Sequence, residues 1–189
     1  MLSDLVAKNR SYRRFNSSVV VPADVLTGLV ELARLCPSSR NQQALKFVIT
    51  NDPDRCKLVF STLAWAGYLK DWPGPGENER PTGYIVILGD TRLGSKFDID
   101  LGIVAQTMML GAVENGFGGC MFSSIKREEL RNLLSIPEFC EILLVLAVGK
   151  PVETVVVDDM AGENIRYWRD ENQVHHVPKR LLADLILNP

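Results

Sequence analysis

The sequence predicts an α+β fold, a sheet sandwiched between helices, and three observations carry that expectation. Apolar residues recur at helical spacing through Val25, Leu26, Leu29, Val30, Leu32 and Ala33, and again through Ile103, Thr107, Leu110 and Val113. Three short apolar runs, Leu45 to Thr50, Tyr84 to Leu88 and Ile142 to Val148, read as buried strands. These elements follow one another irregularly, without the strand–helix alternation of a parallel sheet. At 189 residues, 46% of them apolar, the chain can bury a sizeable core as a single domain spanning 1–189.

Taken in order, Ser3 is placed to cap a short first helix through Asn9, which leaves Arg10 to Arg14 at its exit. Pro22 opens the second helix, which must stop before Pro37, so Ser38 to Gln43 form a loop into the first strand. Asp52-Pro53 opens a third helix toward Leu63. A Pro/Gly-rich loop from Lys70 to Thr82 precedes the second strand. The longest helix runs from Phe97 to Asn115, apolar on most sides, and Gly116 stops it. Gly118-Gly119 then reads as a tight turn before a strand from Met121 to Ser124, followed by an amphipathic helix from Lys126 to Leu134. Beyond the strand at Ile142 the tail has no core-sized apolar segment except Leu181 to Leu187, too little to fold alone. Such a tail needs a surface, and an arm exchanged with a second subunit, with Leu182 to Leu187 as an added edge strand, answers that need.

Composition narrows the function. A net charge of −2 with 23% charged residues lacks the broad basic excess of a nucleic-acid binder. Cys36, Cys56, Cys120 and Cys140 have no C-x-x-C spacing, which fits reduced side chains and argues against a zinc site. Charged residues interrupt the N-terminal apolar positions and no run is long enough to span a bilayer, so a cytoplasmic protein without membrane partners is expected.

Three stretches are rich in hydrogen-bond donors. Arg10 and Arg13, at i and i+3, flank Ser11 and are able to clamp a phosphate or a carbonyl edge, although a solvated basic helix end is the plain alternative. Pro37-Ser38-Ser39-Arg40-Asn41-Gln42-Gln43 carries more donors than a connection needs, and its amides suit a ring edge that presents both donors and acceptors. Ordinary turn chemistry is the competing account of that loop. Lys179 and Arg180 offer a third basic site, or protect a strand edge. Backbone N–H groups of Met121, Phe122 and Ser123 can face a flat ring, and Trp65, Tyr68 and Trp72 can wall a pocket for a planar substrate. His175 and His176 have no nucleophile at a motif beside them. No catalytic acid, base or metal ligand emerges. A donor-rich site of this kind holds a cofactor and lets it react, and a flavin fits.

Arg10-Ser11-Tyr12-Arg13-Arg14-Phe15, followed by Pro37 to Gln43 and Phe47, resembles the nitroreductase family of FMN-dependent oxidoreductases. Glu114 to Cys120 and Gly149-Lys150-Pro151 are similar to further stretches of that family, so the resemblance spans essentially the whole chain. It implies a central, mostly antiparallel sheet flanked by helices and a homodimer in which residues 150–189 form an arm on the partner. Arg10, Ser11 and Arg13 would contact FMN, with Arg180 and Lys179 completing its phosphate site. Pro37, Ser38, Ser39, Asn41 and Gln43 would come from the neighbouring subunit. Met121, Phe122 and Ser123 would line one ring face, the Ser123 N–H toward N5. The sequence departs from the family pattern at Ala44-Leu45 and at Phe122.

The activity so implied is hydride transfer from NADH or NADPH through FMN to a small acceptor such as a nitroaromatic or quinone. A specialised flavoenzyme of the same fold, a dehydrogenase or dehalogenase, is one alternative. A flavin-binding protein without turnover is another.

Overall fold

The structure is a computed structural model that describes residues 1–187; positions 188 and 189, at the end of the expected arm, lie outside the described residues. Four strands form the main sheet: β1 (Leu45–Thr50), β2 (Gly83–Asp90), β3 (Gly118–Phe122) and β4 (Cys140–Gly149). Their spatial order is β1-β2-β4-β3, and every neighbouring pair is antiparallel. Both faces of β2 are covered, which is why its residues form an unbroken apolar run rather than an alternating one. Tyr84, Val86 and Leu88 point toward the layer of α3 (Pro53–Ser61) and α5 (Arg127–Leu134). Ile85 and Ile87 point toward α2 (Ala23–Arg34) and α4 (Asp98–Glu114). The strand's period of two thus builds two cores at once.

Most sequence-derived elements stand where expected, and the differences have local causes. Helix α1 (Leu2–Lys8) begins before Ser3, because the Met1 amino group bonds the Asp4 carboxylate at 2.8 Å and Met1 takes the capping position. The Asp52 carboxylate does cap α3, accepting from the Arg55 N–H at 2.9 Å. Gly118-Gly119 is not a turn but the start of β3. A Cβ on Gly119 would lie 2.1 Å from the Ala147 carbonyl oxygen, so this pair of strands tolerates only glycine there.

The tail departs most from expectation. Val155–Asp159 (β5), Trp168–Arg169 (β6) and His175–Lys179 (β7) form a second sheet in the order β5-β7-β6. Leu182–Leu185 is a short helix, α6, rather than a strand, consistent with the strong helix propensity of Leu and Ala. Leu182, Leu185 and Leu187 on and after it are exposed. Among the described residues no helix is long and apolar enough to cross a membrane.

Candidate functional site

The arginine segment is laid against the outer edge of β3. Ser11 pairs in parallel with Gly119, and the Tyr12 N–H donates to the Gly119 carbonyl at 2.9 Å. Three residues beyond Tyr12, Phe15 is buried against Gly149, where a Cβ would lie 2.8 Å from its ring. Arg10 turns back on α1, donating to the Val6 carbonyl at 2.7 Å and closing the helix end electrostatically. Ser11 is exposed. Arg13 is 9% exposed, and its Nη1 donates to the Ser11 carbonyl at 3.2 Å and meets His175 Nε2 at 3.0 Å.

Arginine only donates, so His175 Nε2 must accept and the imidazole proton sits on Nδ1. That nitrogen is buried without a partner. Burial first, then the Arg13 charge, push the His175 pKa down to about 4. His175 is therefore neutral near pH 7, a fixed acceptor that orients the guanidinium. Tyr167 lies under the same guanidinium, its ring 4.5 Å away.

One carboxylate fastens this corner. Glu153, with 1% of its side chain exposed, accepts from the backbone N–H groups of Arg13 and Arg14 and from Arg169 at 3.0 Å. Arg169 in turn stacks over Trp72 at 4.2 Å. Trp72 stands edge-on to Trp65, which packs on Phe122 with centroids 4.5 Å apart. Tyr68 packs on Tyr167 at 4.9 Å. The three aromatics thus stand in two groups, Trp65 with Trp72 and Tyr68 with Tyr167, and the tail supplies Tyr167 and Arg169 to them. Phe122 faces the core beneath Trp65, while Met121, 39% exposed, and Ser123 face outward at the end of β3.

The amide-rich loop stands elsewhere. Its first strand, β1, is the opposite edge of the sheet from β3, three strand spacings or about 14 Å away. The loop also enters at the end where Leu45, Gly89 and Glu141 align, whereas Ser11 joins near Gly149. Within one chain, Ser38 to Gln43 and Arg10 to Arg13 occupy opposite corners. The loop is tied to α4 through the Ser39 N–H and the buried Asp100 carboxylate at 2.9 Å. The Gln43 N–H donates to Ser38 Oγ at 3.1 Å, and Pro37 and Asn41 are exposed. Arg40, Asn41 and Gln43 all have positive φ, of 53°, 55° and 51°. Three left-handed non-glycine residues in six are strain that a plain connection does not need.

Lys179 is exposed at the far end of β7, four residues or about 13 Å beyond His175, and the exposed Arg180 follows the strand. Arg180 meets Glu163 at 3.3 Å rather than Arg10 or Arg13. The structure therefore sets Ser11 and Arg13 beside β3, near Met121 and Ser123, but turns Arg10 onto α1, buries Phe122 in the core rather than on an open face, and keeps the other two donor stretches apart. Sequence reasoning missed Glu153, Tyr167, Arg169 and His175. Only His175 carried a signal, as half of the adjacent His175-His176 pair, which sequence reasoning weighs for catalysis rather than as an anchor for Arg13.

Comparison with known proteins bears on the family and the fold. The model of the nitroreductase family matches residues 6–70 and 81–150. The chain belongs to the nitroreductase family. A curated relative from Archaeoglobus fulgidus, with the provisional name NADH dehydrogenase/NAD(P)H nitroreductase, is 24% identical over 156 residues, covering 78% of this chain and 83% of that protein. Among solved structures, a nitroreductase family protein from Streptococcus pneumoniae TIGR4 aligns over 100% of both chains with a TM-score of 0.68 at 17% identity. An FMN-dependent nitroreductase from Clostridium difficile R20291 aligns over 81% of this chain and 88% of its own, with a TM-score of 0.64 at 21% identity. These likenesses establish the fold. Family membership makes the protein an oxidoreductase of nitroreductase type.

Proposed function

We propose that the chain is an FMN-dependent oxidoreductase that takes hydride from NADH or NADPH and delivers it to a small acceptor, a nitroaromatic, a quinone or a similar molecule. The observation that carries this reading is the placement of Arg10, Ser11 and Arg13 along β3, beside the outward-facing Met121 and Ser123. The donor set fits FMN: guanidinium and hydroxyl groups for an anionic phosphate and carbonyl edge, strand-end amides for a flat ring, and no acid or base placed to react. When bound, FMN supplies the redox chemistry at its N5 position.

The residues hold, orient and exclude water. Arg13 presents a fixed positive charge in a mostly dry setting, where it acts more strongly on an electron-rich ring edge than it would in water. Glu153 and His175 keep that charge in place. Trp65, Tyr68 and Trp72 wall the acceptor side. Arg10 is the phosphate ligand of this reading at the β3 corner, its exposed contact to the Val6 carbonyl being exchangeable; Lys179 and Arg180, about 13 Å along β7 from His175, join it only if the arm re-seats on a second copy.

A homodimer belongs to the same proposal. Pro37, Ser38, Ser39, Asn41 and Gln43 lie too far from Arg13 to share a ligand within one chain, and a second copy presenting that corner removes the conflict. The exposed leucines of α6 and the segment after it give residues 150–189 an apolar strip to lay on that copy. The names of the similar proteins, one FMN-dependent and one NAD(P)H-linked, agree with the cofactor and the reductant.

The test is the visible spectrum of freshly purified protein, extraction of the chromophore, and anaerobic titration with NADH and NADPH. A flavin spectrum bleached by at least one of them is expected. A colourless protein that takes up no FMN, or a flavin that neither nucleotide reduces, defeats the proposal.

A further inference from the structure

The loop between α3 and β2 is rooted on both sides of the proposed flavin seat. At one root the Ala64 N–H donates to the Ser124 carbonyl at 3.1 Å, just past the end of β3. At the other, the Glu79 carboxylate accepts from Arg14 Nε at 2.8 Å, and the Phe15 N–H donates to the Glu79 carbonyl at 2.9 Å. The chain between these roots runs from the end of β3 to the arginine segment.

Its middle, residues 66–74, has little of its own to hold it. Two tight turns organise it, the Leu69 N–H donating to the Ala66 carbonyl at 2.8 Å and the Trp72 N–H to the Leu69 carbonyl at 3.0 Å. Among the described residues, the one hydrogen bond that leaves it runs from the Tyr68 N–H to the Tyr167 hydroxyl, at 3.4 Å. Both ends have positive φ, 42° at Ala66 and 106° at Gly74. The first is uncommon without glycine and the second nearly confined to it. Strain at one end and few outward bonds leave such a segment at low local stability unless another part of the chain secures it.

The tail supplies that support. Around β6 the strand period sends Tyr167 and Arg169 to one side and Trp168, stacked on His176, to the other. Tyr167 packs on Tyr68 with centroids 4.9 Å apart, and Arg169 lies over Trp72 at 4.2 Å. The same two residues reach back to the arginine corner, Tyr167 under the Arg13 guanidinium and Arg169 paired with Glu153. Each touches the segment on one side and the seat on the other.

We infer that residues 66–74 are a lid on the acceptor side of this seat, and that Tyr167 and Arg169 are positioning residues that latch it. The lid role rests on the flavin reading; the latch does not. Latched, the segment keeps Tyr68 and Trp72 in place and admits small flat acceptors in preference to bulky ones.

Hydrogen exchange, read by mass spectrometry on the full-length protein as purified, tests the latch. In Tyr167→Leu, peptides covering 66–74 should exchange at least about fivefold faster, as expected from losing an aromatic contact, while β2 and β4 keep wild-type rates. Tyr167→Phe retains the ring and should restore most of the protection. Tyr68→Leu should quicken exchange to a lesser degree, and the double variant should be no faster than Tyr167→Leu alone. If Tyr167→Leu folds poorly, Trp72→Leu, which frees the segment from Arg169 without touching Arg13, carries the test. Unchanged exchange of 66–74 in the variant that carries the test, acceleration shared equally by β2 and β4, or additive effects in the double variant overturn the latch.

The lid is tested with flavin-loaded protein reduced by dithionite and mixed with 1,4-benzoquinone or the bulkier 9,10-phenanthrenequinone. Per bound flavin, Tyr167→Leu should raise the rate with the bulky quinone relative to the small one by about fivefold. An unaltered ratio removes the lid role even where exchange has quickened. A protein that takes up no FMN defeats the proposed function and the lid role with it, and the exchange rates then decide the latch alone.

Discussion

The two corners of the sheet that carry donors are built in opposite ways. At the β3 corner, Arg13 is buried, its backbone is tied to Glu153 and the neighbouring strand, and its guanidinium rests on Tyr167 and His175. At the β1 corner, Asn41 and Gln43 are exposed, the loop bonds mainly to itself, and three residues sit at positive φ. One corner is a rigid seat stabilised by burial. The other is a strained, solvent-facing display whose amides have little to do inside their own subunit. The contrast is what a site shared between two copies requires: a socket on one surface and a complementary tip on another.

The strongest way to break the contrast is to unfasten the socket. Glu153→Ala leaves Arg169 a buried charge without its partner and strips two backbone N–H groups of their acceptor. A loss of about 3–5 kcal/mol is expected, read from urea unfolding; a loss near zero would mean the corner is not rigid. Arg13→Ala removes charge-assisted bonds worth roughly 1.5–3 kcal/mol, so FMN affinity should fall ten- to a hundredfold in a fluorescence titration. Arg13→Lys should recover little of it, since an ammonium cannot reproduce the stacked fork.

Acid sharpens the difference further. His175 is held neutral by burial, its pKa about 4 against an ordinary 6.5. Its contribution to stability is complete above pH 6.5 and is lost as pH falls from there toward 4, at a slope of at most about 1.4 kcal/mol per pH unit. Next to it, His176 is raised by its bond to Asp158, so its own contribution is complete below 6.5 and fades as pH rises. His175→Gln should flatten the acid slope of the urea midpoint, and an unaltered slope would remove His175 from the socket. The smallest effect belongs to the tip. Gln43→Gly relieves a positive φ and should leave the monomer as stable or up to about 1 kcal/mol more so, while FMN affinity drops about tenfold. If the fold loses stability instead, the loop is an ordinary turn.

How much of this was legible in the sequence follows from the range of the interactions. Local rules placed β1 to the residue, stopped α4 at Gly116 (φ 76°), and found the Asp52 cap, because each depends on neighbours within a turn. Gly118-Gly119 was misread as a turn because the need for glycine there is set by Ala147, a strand partner distant in the chain. The tail was misread for a similar reason. Its sheet is held by Arg169 on Glu153 and by His175 on Arg13, polar contacts that hydropathy patterns do not register. Arg10, Ser11 and Arg13 could be named in advance, whereas the hub that seats them could not.

The opposite-corner arrangement has a thermodynamic consequence. In a dimer that divides its cofactor ligands this way, an isolated copy retains only half of them, so self-association and FMN uptake are two readings of one equilibrium. Dilution should shed flavin, and added flavin should hold copies together at concentrations where they would otherwise drift apart.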